Sequence, residues 1–230
     1  MGGIGTMSTS APVIRASTTT VVVVDDHRTF SDLLAMALGA EPDFDCVGKA
    51  TSVATALAMV EDLRPDLVLM DVRLGDGDGV AATAELTRSY PDLRVVVLTA
   101  HADLALMKRA ADAGACCLLP KDGSLPDMLE ALRRSRRGGI TVHPELLKAL
   151  TMSAPPQMPQ LPTLTRREHD VLMKLAIGLD ARAIAKHLGI SVNTCRGYVK
   201  SLMLKLGAHS QLEAVVIATT NGLVRLGPHG

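Results

Sequence analysis

The sequence predicts an α/β domain with a doubly wound, five-stranded parallel sheet, followed by a smaller all-α domain of four helices. Two observations lead to this fold class. Five short apolar runs alternate with five helical patterns up to residue 134, and four more helical patterns follow a proline-rich stretch. Continuously apolar strands that alternate with helices are typical of a parallel sheet covered on both faces.

The elements of the first domain follow from the spacing of its apolar side chains. The strand candidates are β-branched or leucine-rich runs at residues 21–24, 44–48, 67–70, 95–98 and 116–119. The helix candidates place apolar residues three or four positions apart, at residues 30–38, 53–63, 80–88, 104–113 and 126–134. We therefore predict that residues 20–137 form the α/β domain, after a disordered tail at residues 1–19.

A linker separates the second domain from the first. Four prolines between residues 153 and 162 exclude a helix interior or a central strand, and we predict a linker over residues 138–162. Helical patterns then recur at residues 166–177, 181–188, 192–206 and 211–221, separated by Gly178, Gly189 and Gly207. Residues 163–230 should therefore fold as a compact four-helix domain.

The charges are divided unevenly between the two domains. Residues 20–132 hold 9 Lys and Arg against 19 Asp and Glu, whereas residues 163–230 hold 9 against 4. An acidic half and a basic half indicate two different partners, and nucleic acid suits the basic one. No apolar run is long enough to span a membrane and the four cysteines lack metal-binding spacing, so we expect a cytoplasmic protein with reduced thiols and no membrane partner.

Polar side chains follow four predicted strands of the first domain. Asp25 and Asp26 come after the first strand, Asp71 after the third, Thr99 after the fourth and Lys121 after the fifth. Alone, each residue has a plainer interpretation as a helix cap, a strand end or a solvated charge. Because ligands of doubly wound sheets bind beyond the carboxyl ends of the strands, the five residues together predict a functional pocket at that edge.

These residue types suit phosphoryl transfer to a carboxylate. Clustered carboxylates repel one another unless a cation compensates them, and Mg²⁺ prefers oxygen ligands of this kind. Asp71 would attack the phosphorus, Mg²⁺ would lie on Asp25 and Asp26, and Thr99 and Lys121 would stabilise the phosphate oxygens.

Residues 20–135 resemble the receiver domain of two-component response regulators, a flavodoxin-like fold. The matching motifs are Val24-Asp25-Asp26-His27, Leu69-Met70-Asp71-Val72-Arg73-Leu74, Gly77-Asp78-Gly79, Leu98-Thr99-Ala100 and Leu119-Pro120-Lys121-Asp122. The resemblance implies that Asp71 receives phosphate from a sensor histidine kinase. It also implies that Mg²⁺ is held by Asp25, Asp26, Asp71 and the backbone carbonyl of Arg73.

Two positions depart from the receiver pattern. The family usually has Pro where this chain has Gly75, and we expect a more mobile loop there. The family also tends to have an aromatic residue at the position of Leu118, so the aromatic movement often invoked for these switches would be absent. Both departures leave open an atypical regulator, whose receiver binds a ligand or partner protein without phosphorylation.

The second domain contains two helices joined by a tight turn. Thr165 and Glu168 predict a capping box at the start of the domain, and residues 189–191 turn the chain between two helices. On the helix after the turn, the predicted buried stripe is Val192, Cys195, Val199, Leu202 and Leu206. From charge alone, the opposite side would be an ordinary solvated basic face.

Residues 164–218 resemble the LuxR-type helix-turn-helix domain. The matching motifs are Leu164-Thr165-Arg166-Arg167-Glu168, Ile184-Ala185-Lys186-His187-Leu188-Gly189-Ile190-Ser191, Thr194-Cys195-Arg196 and Lys205-Leu206-Gly207-Ala208. The resemblance implies that helix 192–206 enters the major groove of double-stranded DNA. The DNA-contacting residues would be Asn193, Thr194, Arg196, Gly197, Tyr198, Lys200 and Lys205.

Together the two domains predict a DNA-binding transcription regulator of a bacterial two-component system. Phosphorylation of Asp71 would shift the receiver between two states, favour a homodimer and promote binding to an inverted-repeat promoter site. The rival interpretations are the atypical regulator and a phosphatase or phosphotransferase. The pocket offers no spare general base and an enzyme would leave the basic domain unexplained, so we expect no enzymatic turnover.

Overall fold

The computed structural model describes residues 18–136, 141–142 and 163–224. Residues 1–17 of the predicted tail and most of the predicted linker, including its prolines, lie outside the described residues.

A parallel sheet of six strands forms the centre of the first domain, in the order β2-β1-β3-β6-β7-β8. Its strands are β1 (Thr19–Val24), β2 (Phe44–Ala50), β3 (Leu67–Asp71), β6 (Arg94–Thr99), β7 (Cys117–Pro120) and β8 (Thr141–Val142). The remaining two strands, β4 (Arg73–Leu74) and β5 (Gly77–Asp78), pair as a separate antiparallel hairpin. The five predicted parallel strands are confirmed, and β8 adds a sixth within residues that we predicted as linker.

Helices cover both faces of the sheet. They are α1 (Arg28–Gly39), α2 (Val53–Leu63), α3 (Gly79–Ser89), α4 (Leu104–Asp112) and α5 (Leu125–Arg136). Leu38 of α1 and Leu132 of α5 pack in one buried cluster with Leu69 of β3. Val60 of α2 and Leu86 of α3 pack with residues of β1 and β3 that face the other way. The sheet is therefore doubly wound, as predicted.

The hairpin after β3 is held against α2 by one carboxylate. Asp76 lies in the turn of this hairpin. It accepts hydrogen bonds from the backbone N–H groups of Val53 (2.7 Å) and Ala54 (3.1 Å) at the start of α2. These bonds lower the pKa of the Asp76 carboxyl. Greater mobility at Gly75 stays a prediction, but the residue beside it is fixed to a helix.

The other end of the hairpin is fixed to α3 and α4. Asp78 accepts a hydrogen bond from the N–H of Val80 (2.8 Å), which caps α3, and its second carboxylate oxygen forms an ion pair with Arg109 of α4. Gly79 is required next to it, because a Cβ there would lie 1.8 Å from the backbone oxygen of Asp71. The start of α3 therefore packs directly on the end of β3.

Four helices form the second domain, as predicted. They are α6 (Arg166–Ala176), α7 (Ala181–Leu188), α8 (Val192–Leu206) and α9 (Gln211–Thr220). Each begins with a side chain that accepts a hydrogen bond from the first turn, at Thr165, Asp180, Ser191 and Ser210. Gly189 and Gly207 end α7 and α8 with φ of 64° and 66°, a conformation that glycine adopts without strain.

Glu168 joins α6 to α8. Its carboxylate is only 4% exposed and accepts hydrogen bonds from the N–H of Thr165 (2.7 Å), the hydroxyl of Ser201 (2.7 Å) and the ammonium of Lys205 (2.7 Å). The hydrogen bond from Lys205 and those from Thr165 and Ser201 lower the pKa of Glu168 to about 2. The predicted capping box is present, and it is the centre of a contact between helices.

The two domains touch through α4 and α9. A single apolar cluster includes Met107 and Ala110 of α4 together with Leu212 and Val215 of α9. The hydroxyl of Ser210, at the start of α9, donates a hydrogen bond to the backbone oxygen of Ala111 (3.1 Å). One face of α9 is therefore covered by the first domain.

Replacing Asp76 by Ala should lower the free energy of unfolding, because two backbone N–H groups at the start of α2 lose their acceptor. Urea unfolding of the full chain, followed by circular dichroism, measures this change. Glu85→Ala removes an exposed carboxylate from α3 and should change stability by less than about 0.5 kcal/mol. Equal stability of the two variants would contradict the capping role of Asp76.

The Glu168→Gln variant should be less stable than the unmodified chain at pH 7. Because folding lowers the pKa of this carboxyl from an ordinary value of 4.5 to about 2, its stabilisation is complete above pH 4.5 and declines as the pH falls towards 2. Melting temperatures of both chains between pH 7 and pH 2.5 should therefore converge on acidification.

The control for this measurement is Asp170→Asn, which removes a carboxylate from the same helix without touching Lys205. A difference between the unmodified chain and Glu168→Gln that stays constant down to pH 2.5 would refute the ionic contribution of Glu168.

Candidate functional site

The carboxyl edge of the parallel sheet brings together most of the predicted pocket residues. Asp25 and Asp26 follow β1, Asp71 ends β3, and Lys121 follows β7. The ammonium of Lys121 lies 2.7 Å from Oδ2 of Asp25 and 2.9 Å from Oδ2 of Asp71. One cation therefore bridges carboxylates from two neighbouring strands, at the edge where the sequence predicted these residues to converge.

Thr99 is near this edge but its hydroxyl is engaged elsewhere. Its Oγ1 donates a hydrogen bond to the backbone oxygen of His101 (2.9 Å) and accepts one from the N–H of the same residue (3.1 Å). Thr99 is buried at the end of β6, so its position agrees with the prediction. The hydroxyl has to leave His101 before it can donate to a group on Asp71.

Burial dominates the electrostatics of the pocket. Asp25 is completely buried and Asp71 is only 5% exposed. Burial raises the pKa of the Asp71 carboxyl, and the hydrogen bond from Lys121 only partly offsets this. Burial alone would lower the pKa of Lys121, but its ion pairs with Asp25 and Asp71 raise it. The ammonium also lies 5.2 Å from the ring centre of Phe30, which helps to hold it in place.

The pocket has the donors of a divalent cation site. Ligand atoms of Asp25, Asp26, His27 and Asp71 all lie within 4.8 Å of one another. Oxygen atoms from three carboxylates are a suitable set for Mg²⁺, and a cation there would offset their mutual repulsion. The backbone N–H of Arg73 donates a hydrogen bond to Asp71, so this residue also lies at the pocket.

Sequence reasoning assigned no role to His27. Its Nδ1 lies 3.0 Å from Oδ1 of Asp26 and 3.4 Å from Oδ1 of Asp25. The available signal was its position directly after the two aspartates, which places it at the mouth of the pocket. The side chain is 76% exposed, so it is accessible to a ligand from solvent.

The second candidate site is the exposed face of α8. Cys195, Val199, Leu202 and Leu206 are buried as predicted, whereas Val192 is only partly buried. The opposite face exposes Asn193, Thr194, Arg196, Gly197 and Lys200. The described residues of the first domain do not cover this face, so amide, guanidinium and ammonium donors are presented together to solvent.

Two of the residues assigned to this face already contact other residues of the domain. Tyr198 is partly buried and packs against the apolar cluster of the domain. Lys205 forms the ion pair with Glu168 at 2.7 Å. Contact of Lys205 with DNA stays a prediction, but its charge is already used to join α6 to α8.

None of the helices within the described residues has the length and apolar character needed to cross a membrane.

Comparison with known proteins gives a family match for each of the two domains. The family of the response regulator receiver domain matches residues 21–133, and the luxR family of bacterial regulatory proteins matches residues 162–218. Response regulator protein VraR of Staphylococcus aureus is 30% identical over 205 residues, which cover 89% of this chain and 98% of VraR.

Two solved structures share the fold. The signal receiver domain of the putative response regulator NarL from Mycobacterium tuberculosis is 32% identical, with a TM-score of 0.51 over 53% of this chain and 98% of that one. The RcsB response regulator of Salmonella typhimurium is 22% identical, with a TM-score of 0.56 over 86% of this chain and 97% of that one.

The match to VraR runs through both domains and joins the two family matches in one chain. This chain therefore belongs to the LuxR-family response regulators of two-component systems, which are DNA-binding transcription regulators and not enzymes.

Proposed function

We propose that Asp71 accepts a phosphoryl group from a sensor histidine kinase, and that this modification controls the binding of α8 to promoter DNA. The observation that carries the proposal is the bridge of Lys121 between Asp25 and Asp71 at the carboxyl edge of the sheet. It holds a buried nucleophile beside a cation that can neutralise a phosphoryl group.

The chemistry needs one bond to form and one to break. A carboxylate oxygen of Asp71 attacks phosphorus, the bond between phosphorus and the kinase imidazole breaks, and an acyl phosphate remains on Asp71. Lys121 is placed to pair with a phosphoryl oxygen, because its ammonium already lies 2.9 Å from the acceptor carboxylate. Thr99 would donate to another oxygen after its hydroxyl leaves His101.

Mg²⁺ fits this pocket by the chemistry of its donors. Asp25, Asp26 and Asp71 would hold the ion, together with the backbone carbonyl of Arg73, a residue whose backbone N–H donates a hydrogen bond to Asp71. When bound, the ion supplies positive charge to the phosphoryl oxygens. The residues of the chain supply orientation and exclude water, since Asp25 and Asp71 are buried.

The contact between α4 and α9 is the element that phosphorylation would bias. A phosphoryl group adds negative charge next to the hairpin whose Asp78 is paired with Arg109 of α4. Movement of α4 would change its packing against α9, and so release the second domain to form a homodimer. Paired domains suit an inverted-repeat site with half-sites about one helical turn apart. A cytoplasmic location follows from DNA as the partner.

Contact with DNA would be made by α8. Arg196 suits guanine edges, Asn193 suits adenine, and Lys200 suits a phosphate. All three are exposed in the structure although α9 is packed on the first domain. Thr194, Gly197, Tyr198 and Lys205 complete the proposed contact surface.

Incubation with acetyl phosphate and Mg²⁺ should add one phosphate to the unmodified chain and none to Asp71→Asn. Intact mass spectrometry detects the addition, and DNA binding is measured on the same samples. Asp62→Asn, an exposed carboxylate on α2, serves as control and should gain one phosphate. Phosphorylated chain should bind promoter DNA more tightly than Asp71→Asn.

Two results would contradict this prediction. Equal phosphate gain in Asp71→Asn would place the acceptor elsewhere. DNA binding that is unaffected by phosphorylation would favour the atypical regulator instead, whose receiver responds to a ligand or a partner protein.

Replacement of Arg196 by Ala should weaken binding to a specific duplex by about 1–3 kcal/mol, because a bidentate base contact is lost. Lys200→Ala should weaken binding to all sequences and reduce the dependence of log K on log salt by about 1. Fluorescence anisotropy at several salt concentrations gives both quantities. Lys49→Ala is an equal charge change in the first domain and should bind DNA as the unmodified chain does. Equal losses of DNA affinity in all three variants would exclude α8 as the reading helix.

A further inference from the structure

Leu204 of α8 is 82% exposed, more than any other large apolar side chain within the described residues of the chain. Its neighbours are fixed, because Leu202 and Leu206 are buried and Lys205 forms the ion pair with Glu168 at 2.7 Å. The backbone that carries Leu204 is therefore held in place. Single exposed leucines are common on protein surfaces, so exposure alone assigns no role to this one.

The position of Leu204 on the helix continues the line of the proposed DNA contacts. Successive residues of an α-helix are about 100° apart around the axis, because one turn holds about 3.6 residues. Asn193, Lys200 and Leu204 therefore project within about 40° of one another. The buried Cys195 and Leu202 project about 160–180° away from Leu204. The leucine is thus on the side of α8 that is opposite to the core.

Nucleic acid is the partner that this side of the helix fits. The helix holds Arg196, Lys200 and Lys205, and none of its 15 residues is acidic. Leu204 comes four residues after Lys200, about 6 Å further along the axis, which is less than two base-pair steps of about 3.4 Å. A helix that places Arg196 and Lys200 on DNA therefore brings Leu204 to the same groove.

The base edges in the major groove offer one apolar group to a leucine. This group is the C5-methyl of thymine, since the other groups on these edges are hydrogen-bond donors and acceptors. A leucine against those polar groups would displace water without replacing its hydrogen bonds, which costs free energy. Packing against a thymine methyl group has no such cost and removes apolar surface from water.

We propose that Leu204 contacts a thymine methyl group in each half-site, and that it gives this chain a preference for an A·T pair at that position. The inference rests on the proposed function of α8 and adds to it a residue that determines specificity by apolar contact. The base pair lies beyond the one that Arg196 contacts, in the direction of the carboxyl end of α8.

The test uses duplexes selected from a random library by the unmodified full chain, after treatment with acetyl phosphate and Mg²⁺. Single thymines are then replaced by deoxyuridine at equivalent positions of both half-sites, which removes only the C5-methyl group. Fluorescence anisotropy measures the affinity for each duplex. At one thymine position, the unmodified chain should bind about fourfold more weakly for each substituted half-site, because a methyl group loses its apolar contact.

Leu204→Ala should bind the thymine duplex more weakly than the unmodified chain and show no further loss with deoxyuridine at that position. The substitution removes an exposed side chain, so the fold is not at risk. The matched control is Leu63→Ala, which removes a leucine that is 45% exposed on α2 of the first domain. This control should keep both the affinity of the unmodified chain and its dependence on the thymine methyl group.

The outcomes distinguish this inference from the proposed function. If Leu204→Ala loses the same factor of affinity on the thymine and deoxyuridine duplexes, the leucine contacts another part of the DNA and the thymine contact is wrong. If Leu204→Ala binds as the unmodified chain does while Arg196→Ala binds more weakly, α8 reads DNA without Leu204. If Arg196→Ala and Lys200→Ala also bind unchanged, or the library gives no enriched sequence, the proposed reading of DNA by α8 is contradicted and the inference fails with it.

Discussion

The bridge of Lys121 between Asp25 and Asp71 is the constraint on which the rest of the pocket depends. Two buried carboxylates at the ends of neighbouring strands would repel each other. Burying either one as an unpaired anion would also raise the free energy of the folded state. One ammonium lies 2.7 Å from Oδ2 of Asp25 and 2.9 Å from Oδ2 of Asp71, so it offsets both charges and joins β7 to β1 and β3. The parallel order of the strands makes this possible, because it places all three carboxyl ends at one edge.

From this edge, a short set of contacts leads to the second domain. Gly79 brings α3 against the backbone of Asp71, Asp78 caps α3 and pairs with Arg109 of α4, and α4 packs on α9. Each contact in this set is discrete and can be removed singly by substitution. The buried Leu118 offers no aromatic ring to move, so in this chain the ion pair on α4 is the better physical candidate for transmitting a change at Asp71.

The sequence alone predicted the five main strands, their order of alternation with helices, and the residues at their ends, because apolar periodicity reports burial directly. It missed β8 and the hairpin of β4 and β5, since a strand of two residues has no period to recognise. It also gave no sign of the ion pair that Lys205 forms, although contact of Lys205 with DNA stays a prediction. Its partner Glu168 is 37 residues away in sequence, and such a pairing depends on how α6 crosses α8. The packing of α4 on α9 was missed for the same reason. The sequence pattern indicates that each helix has apolar residues to bury, but it does not indicate which element they pack against.

The packing of the two domains constrains how control of DNA binding can work. Arg196 and Lys200 stay exposed on α8 while the first domain covers part of α9. A switch in this arrangement has no need to uncover the basic face, because that face is already open. It would act instead on the position of the helical domain relative to its receiver. That position would determine whether two helical domains can pair on DNA. Since the energy of specific binding to an inverted repeat comes from both half-sites, holding one domain at a fixed position on its receiver would weaken the proposed binding without blocking a single DNA contact.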